Sequence, residues 1–152
     1  MKREETVLCY LEKDGSFLML HRNKRDVDIN KDKWIGVGGH LEDGETKEQA
    51  LIREIKEETG LLIKGFDYRG DLIFINNDYD EIMYLYTSRD FEGNLIECNE
   101  GELCWVKKED VLNLNLWEGD RYFLPKLINT KEFIKMTLIY KDDQLVKVVE
   151  GN

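Results

Sequence analysis

Proline is nearly missing from this 152-residue sequence, and the only one is Pro125. With no Pro/Ser-rich linker, low-complexity run or repeat to divide it, the chain is expected to form a single domain over residues 1–152. Cysteine is scarce too. Cys9, Cys98 and Cys104 are too few and too unevenly placed for a disulfide framework, and no Cys-x-x-Cys pair offers zinc a site. The two histidines, His21 and His40, complete no metal-ligand pair. No apolar run approaches the roughly 20 residues needed to cross a bilayer. The opening MKREETVLCY also lacks the charged, apolar and cleavage regions of a secretory leader, so a soluble, cytoplasmic protein with no membrane partner is the expectation. Positive charge is in short supply: 22 Lys and Arg against 32 Asp and Glu leave a net charge of −10. That balance speaks against a nucleic-acid polymer as partner, because its footprint needs a basic stripe. A small anionic substrate stays open, since a bound cation reverses the charge that matters locally.

What is present is enough for one sizeable core, with 41% hydrophobic and 11% aromatic residues. Strand patterns cover Glu5 to Leu11 and Ser16 to His21 around the turn KDG, and an extended loop follows through NKRDVDINKDKW. Thr46, with Gln49 three places on, reads as the start of a helix that runs to about Thr59 and stops at Gly60; its Leu51, Ile52 and Ile55 are expected to pack inward. Further strands are expected at Asp67 to Ile75, Glu81 to Arg89 and Glu102 to Lys107. A short helix begins near Lys108 or Glu109, and another runs from near Asp120 towards Leu127. Phe133 to Tyr140 and Gln144 to Val149 form a closing hairpin around KDD. Helices among strands of this kind give an α/β fold, a mixed β-sheet sandwiched between helices.

Residues 39 to 61, GHLEDGETKEQALIREIKEETGL, carry the most specific pattern. At about 100° per residue in a helix, Glu54, Glu57 and Glu58 stand at i, i+3 and i+4, on one face. Three like charges so placed repel, each close pair costing roughly 0.2–0.5 kcal/mol in an isolated helix. Carboxylate oxygens without His or Cys suit a hard cation, and Mg²⁺ in such a site shares its coordination with waters and substrate phosphates. Arg53 can reach one turn along to Glu57, and Gly36, Gly38, Gly39 and Gly44 allow a tight loop whose backbone approaches a ligand closely. A plain solvated acidic face is the competing reading of Glu57-Glu58 alone. It does not account for Gly39, Glu45, Arg53, Glu54, Glu57, Glu58 and Gly60 in one fixed spacing, whose chance occurrence is on the order of 10⁻⁷ or less.

That spacing is a full match to the signature of the Nudix hydrolases, and the chain is identified as resembling that family, with its loop–helix–loop. The resemblance implies the Nudix fold and a divalent-metal-dependent hydrolase of nucleoside diphosphates linked to another moiety. It implies that Glu57 and Glu58 are metal ligands, that Glu54 is either the general base or a further ligand, and that the Gly38 carbonyl is a backbone ligand. Arg53 and Glu45 hold helix and loop in place. Mg²⁺ is the implied cofactor, with Mn²⁺ as its substitute.

WIGVGGHLE and ECNEGELCWV with LWEGDRYFLP narrow the likeness to the oxidised-purine nucleoside triphosphatases, notably MutX-type members of the MutT group, over about Val7 to Val149. On that resemblance Glu100 is a further metal ligand, against a solvated Glu97–Glu100–Glu102 hairpin as the alternative. Arg22 faces phosphate, Gly39 and Ile35 line the substrate site, and Trp117, Asp120 and Phe123 form the base pocket. Trp117 as ordinary core and Asp120 as a helix cap are the competing readings. Two positions depart from the vertebrate-type enzymes: Ile35 replaces Asn and Gly119 replaces Asp, each loss removing a polar contact to the base. The expected reaction is cleavage of a small-molecule nucleotide, a nucleoside triphosphate such as 8-oxo-dGTP, to monophosphate and pyrophosphate. Nucleotide-pool sanitation, a form of DNA repair, is the implied role. A nucleotide-sugar such as ADP-ribose is the rival substrate, and a silent nucleotide sensor the rival class.

Overall fold

A computed structural model describes residues 2–26, 28 and 30–151. Val27 and Ile29, within the loop expected before Trp34, lie outside the described residues.

The chain opens with β1 (Glu4–Lys13) and β2 (Ser16–His21), joined at Asp14 and Gly15, whose φ values of 50° and 77° make the tight turn that matches strand twist. Next come β3 (Trp34–Ile35), β4 (Val37–His40) and α1 (Lys47–Thr59). A long hairpin of β5 (Leu62–Asn76) and β6 (Tyr79–Glu92) precedes β7 (Glu102–Lys107), α2 (Lys108–Val111) and α3 (Asp120–Asn129). The hairpin β8 (Ile134–Lys141) and β9 (Gln144–Glu150) closes the chain. The sheet is mixed: β1 runs parallel to β6 and β5 parallel to β8, while the other pairs are antiparallel. Its order is β3-β2-β1-β6-β5-β8-β9, with β4 also on β1 and β7 also on β2.

Alternation along β1 divides the interior. Val7, Cys9 and Leu11 pack with Ala50, Leu51 and Ile55 of α1, whereas Tyr10 packs with Phe123, Leu124 and Leu127 of α3, and Leu8 borders that second cluster. One helix therefore lies on each face of the sheet, as the α/β expectation had it. Three details differ. The glycine stretch expected as a loop is the strand β4, because Gly36 and Gly38 lack the Cβ that would stand 2.8 Å from the Cys9 carbonyl and 1.8 Å from that of Val7. Ile52, expected inward, is 38% exposed, since Leu51 and Ile55 already fill the contact with the sheet. β5 also starts five residues before the expected Asp67, its register carried through shifts near Gly65 and Gly70.

Candidate active site

Helix α1 starts in a capping box: Thr46 Oγ1 accepts the Gln49 amide at 3.1 Å and Gln49 Oε1 accepts the Thr46 amide at 2.9 Å. It ends at Gly60, whose φ of 82° suits a residue without Cβ. Between these caps Arg53 spends its donors on four partners. Nε and Nη2 grip Glu45 at 2.7 and 2.9 Å, Nη2 also reaches the His40 carbonyl at 3.0 Å, and Nη1 bonds Glu54 at 2.8 Å and Glu57 at 3.3 Å. Arg53 holds Glu45 at about 2, well below the usual carboxylate range, so that carboxylate stays charged. Through these bonds Arg53 joins α1 to Glu45 in the loop before it. All five Arg53 donors are engaged in these bonds, so none is left over for a substrate.

Gly39 lies flat against Glu54: a Cβ there would stand 2.4 Å from Oε1. Gly38 donates its amide to Glu58 Oε1 at 2.8 Å. Burial raises Glu54 above its ordinary value, Arg53 opposing it, with Glu57 and Glu100 adding repulsion. Glu58 is raised further, by burial first and then by the Glu100 carboxyl beside it. Among the described residues no three acidic, His or Cys side chains are drawn closely enough together to grip a metal ion. Glu57 turns instead to Arg53, its side chain 59% exposed. The crowded acids Glu54, Glu58 and Glu100 nonetheless have the chemistry for a hard divalent cation, which would relieve their mutual repulsion. Arg22, expected to face phosphate, spends its guanidinium on Asp28 at 2.8 and 3.1 Å and on Glu100 at 2.8 Å.

Glu54, Glu100, Arg22, Gly38 and Gly39 border one cleft of about 480 Å³. Its apolar wall comes from Leu8, Tyr10, Ile35, Phe74, Met83 and Trp117, and its polar groups include Thr6, Asn30, Glu81 and Asp120. The size falls within the usual range for small-molecule pockets. Trp117 is both core and wall: only 6% exposed, it meets Phe74 and Tyr140 edge-on, while its indole Nε1 donates to Asn30 Oδ1 at 2.8 Å. Asp120 is the first residue of α3, but the cap position is Gly119 and no side-chain cap bond forms, so the capping reading is set aside. Burial pushes Asp120 up to about 7, with Lys33 and Arg121 opposing. Gly119 has no room for a side chain, because a Cβ would stand 2.7 Å from the Tyr140 hydroxyl that accepts its amide.

Phe123 is a correction. It is fully buried behind Tyr10, with ring centroids 6.3 Å apart, and does not border the cleft, because the helical turn from Asp120 carries it to the inner face of α3. Thr6, Tyr10, Asn30, Phe74, Glu81 and Met83 also border the cleft, and no signature motif marks them. Alternation in β1 was the signal available for Thr6 and Tyr10; the others come from strands and a loop distant in sequence.

A mixed sheet lies between helices, and beside the glycine strand that backs the helix of carboxylates runs a cleft with an aromatic wall. The NUDIX domain model matches residues 2–127, and the chain belongs to the Nudix hydrolase family, whose members act on nucleoside diphosphate derivatives and triphosphates with divalent metals. It is 30% identical over 138 residues to an uncharacterized Nudix hydrolase, YvcI, of Bacillus subtilis (strain 168), over 87% of this chain and 84% of that protein. An oxidized purine nucleoside triphosphate hydrolase of Danio rerio is 30% identical over 104 residues, covering 67% of each. The crystal structure of a MutT protein from Bacillus halodurans has a TM-score of 0.86 over 96% of both chains at 24% identity, a likeness of fold. The resemblance read from residues 39 to 61 and the expected Nudix fold are thus borne out. No helix among the described residues is long and apolar enough to cross a membrane.

Proposed function

We propose that the chain is a Mg²⁺-dependent pyrophosphohydrolase that cleaves a purine nucleoside triphosphate to the monophosphate and pyrophosphate. An oxidised purine such as 8-oxo-dGTP is its preferred substrate, and removal of damaged nucleotides from the pool its role. The observation that carries this reading is that one and the same cleft is bordered by Glu54 and Glu100 and by Trp117 and Asp120. A triphosphate and its base need both. Mg²⁺ held by Glu57, Glu58 and Glu100 with the Gly38 carbonyl, or Mn²⁺ in its stead, would neutralise the phosphates and supply a bound water of lowered pKa.

The chain's own residues do the rest. Glu54, raised by burial, is a competent acceptor for the proton of the attacking water, and Arg53 aims it through the 2.8 Å bond. Glu57, bonded to Arg53 at 3.3 Å and largely exposed, would have to turn from it to serve as a ligand, and its exposure leaves room for that. Arg22 keeps Glu100 in position at 2.8 Å. Trp117 and Asp120 take the purine, the first by its apolar ring and the second by hydrogen bonding to an edge.

The test is a turnover panel with Mg²⁺ over 8-oxo-dGTP, ordinary nucleoside triphosphates and ADP-ribose, with the products separated. Monophosphate and pyrophosphate, fastest from the oxidised purine, are expected. Two monophosphates from ADP-ribose without triphosphate cleavage, or nucleotide binding without any turnover, would overturn the proposal.

A further inference from the structure

We propose that Asn30 selects a 6-oxopurine over a 6-aminopurine in this cleft, its side-chain Nδ2 donating to the exocyclic oxygen of the base; the proposal rests on the purine nucleotide reading above. Asn30 lies in the connection between β2 and β3, outside the signature, yet borders the cleft beside Ile35, Trp117 and Asp120. An indole Nε1–H can only donate, so the Asn30 atom 2.8 Å from it is the carbonyl oxygen and the amide cannot be turned over. The anchor is itself fixed, for Trp117 is wedged edge-on between Phe74 and Tyr140. Asn30 is held through its main chain as well. Asp28 accepts the Asn30 amide at 3.0 Å and is clamped in turn by Arg22.

With Oδ1 committed, Nδ2 offers N–H donors alone, and among the described residues no acceptor takes them. Two more polar groups wait nearby. No donor among the described residues reaches the Asp120 carboxyl, and the Tyr10 hydroxyl is buried, with the Gly36 backbone as its polar neighbour. Asp120 can accept when ionised, and can donate as well when protonated, so it adapts to either kind of base edge. Asn30 cannot adapt. A 6-oxopurine brings an acceptor to those donors, whereas the amino group of a 6-aminopurine sets N–H against N–H and, covering them, leaves the donors without water or partner. Ile35 adds no polar atom that could compensate.

The measurement is calorimetric binding of GMP and AMP to the whole chain, as wild type, Asn30→Asp and Trp117→Phe. Asn30→Asp keeps an oxygen for the indole but replaces the donors with an acceptor. Trp117→Phe keeps an aromatic ring but frees the amide to turn over. Wild type is expected to prefer GMP by roughly tenfold or more, Asn30→Asp to lower that ratio by at least about tenfold, and Trp117→Phe to lower it by less. Equal binding of GMP and AMP by wild type overturns the proposal. So does a ratio kept within about twofold in Asn30→Asp or, should that variant not fold, in Trp117→Phe. Because the ratio is read from binding, a wild type that binds GMP selectively but hydrolyses no triphosphate would sink the triphosphatase reading and leave the role of Asn30 standing.

Discussion

Gly39 is glycine because Glu54 occupies the space of its side chain, 2.4 Å from where a Cβ would stand. Gly39→Ala is therefore expected to displace the Glu54 carboxylate and lower kcat by roughly 10²–10⁴, the range for loss of a general base, with KM and melting temperature much less affected. Glu54→Gln should match it in steady-state kinetics. A large loss of Mg²⁺ affinity in Glu54→Gln would instead make Glu54 a ligand. Asp120 gives a different signal. Burial lifts its folded value to about 7, above the unfolded value near 3.9, so the folded state holds an extra proton between those limits and loses stability as pH rises through them. Asp120→Asn carries no such proton. Its stability relative to wild type should climb from about pH 4 to pH 7 by on the order of 2–4 kcal/mol, read by urea unfolding at several pH values. A flat difference would mean that the carboxyl is solvated.

Helix α1 works as a unit with the segment before it. Thr46 and Gln49 fix its start and Gly60 its end, and Arg53 binds it to Glu45 and to the His40 carbonyl of β4. Thr46→Ala removes one half of the capping box and should cost about 1 kcal/mol in urea unfolding, with little change in kcat because Arg53 still orients the carboxylates. Arg53→Lys should do the reverse. One ammonium with three donors cannot replace a planar fork that bonds Glu45 twice, Glu54 and the His40 carbonyl, so kcat is expected to fall at least tenfold with helix content by circular dichroism unchanged. If both variants lost only stability, the helix would be a scaffold without catalytic aim.

The whole molecule carries a net charge of −10, and Glu54 and Glu100 bring acidic side chains to the cleft, with the buried Glu58 beside Glu100. A ligand that binds only the folded state stabilises it by RT ln(1 + [L]/Kd), about 2.7 kcal/mol at a hundredfold excess over Kd. Mg²⁺ should therefore raise the melting temperature of wild type. Glu58→Gln should abolish most turnover and lose most of that Mg²⁺-induced shift, while melting no lower than wild type without metal, because a buried, repelled carboxyl has been replaced by a neutral amide. Equal shifts in both proteins would remove Glu58 from the metal site.

Local chemistry was enough to determine much of this protein from its sequence. Helix α1, its caps, β2 and β7 follow from periodicity and from residues within a few places of one another, as does the gathering of Glu54, Glu57 and Glu58 on one helix. The family signature is legible for the same reason, being a single loop and helix. Tertiary structure alone decided that the glycine stretch is a strand, since its partner is β1, some thirty residues earlier, and only the pairing shows where a Cβ would clash. It alone decided that Arg22 is held by Asp28 and Glu100 and that Phe123 lies behind the cleft. The cleft itself joins Thr6, Asn30, Phe74 and Asp120, which no period in the sequence connects. Backbone geometry orders neighbours along the chain, whereas contacts between distant segments are ordered by packing, and the apolar wall of this cleft is built from the latter.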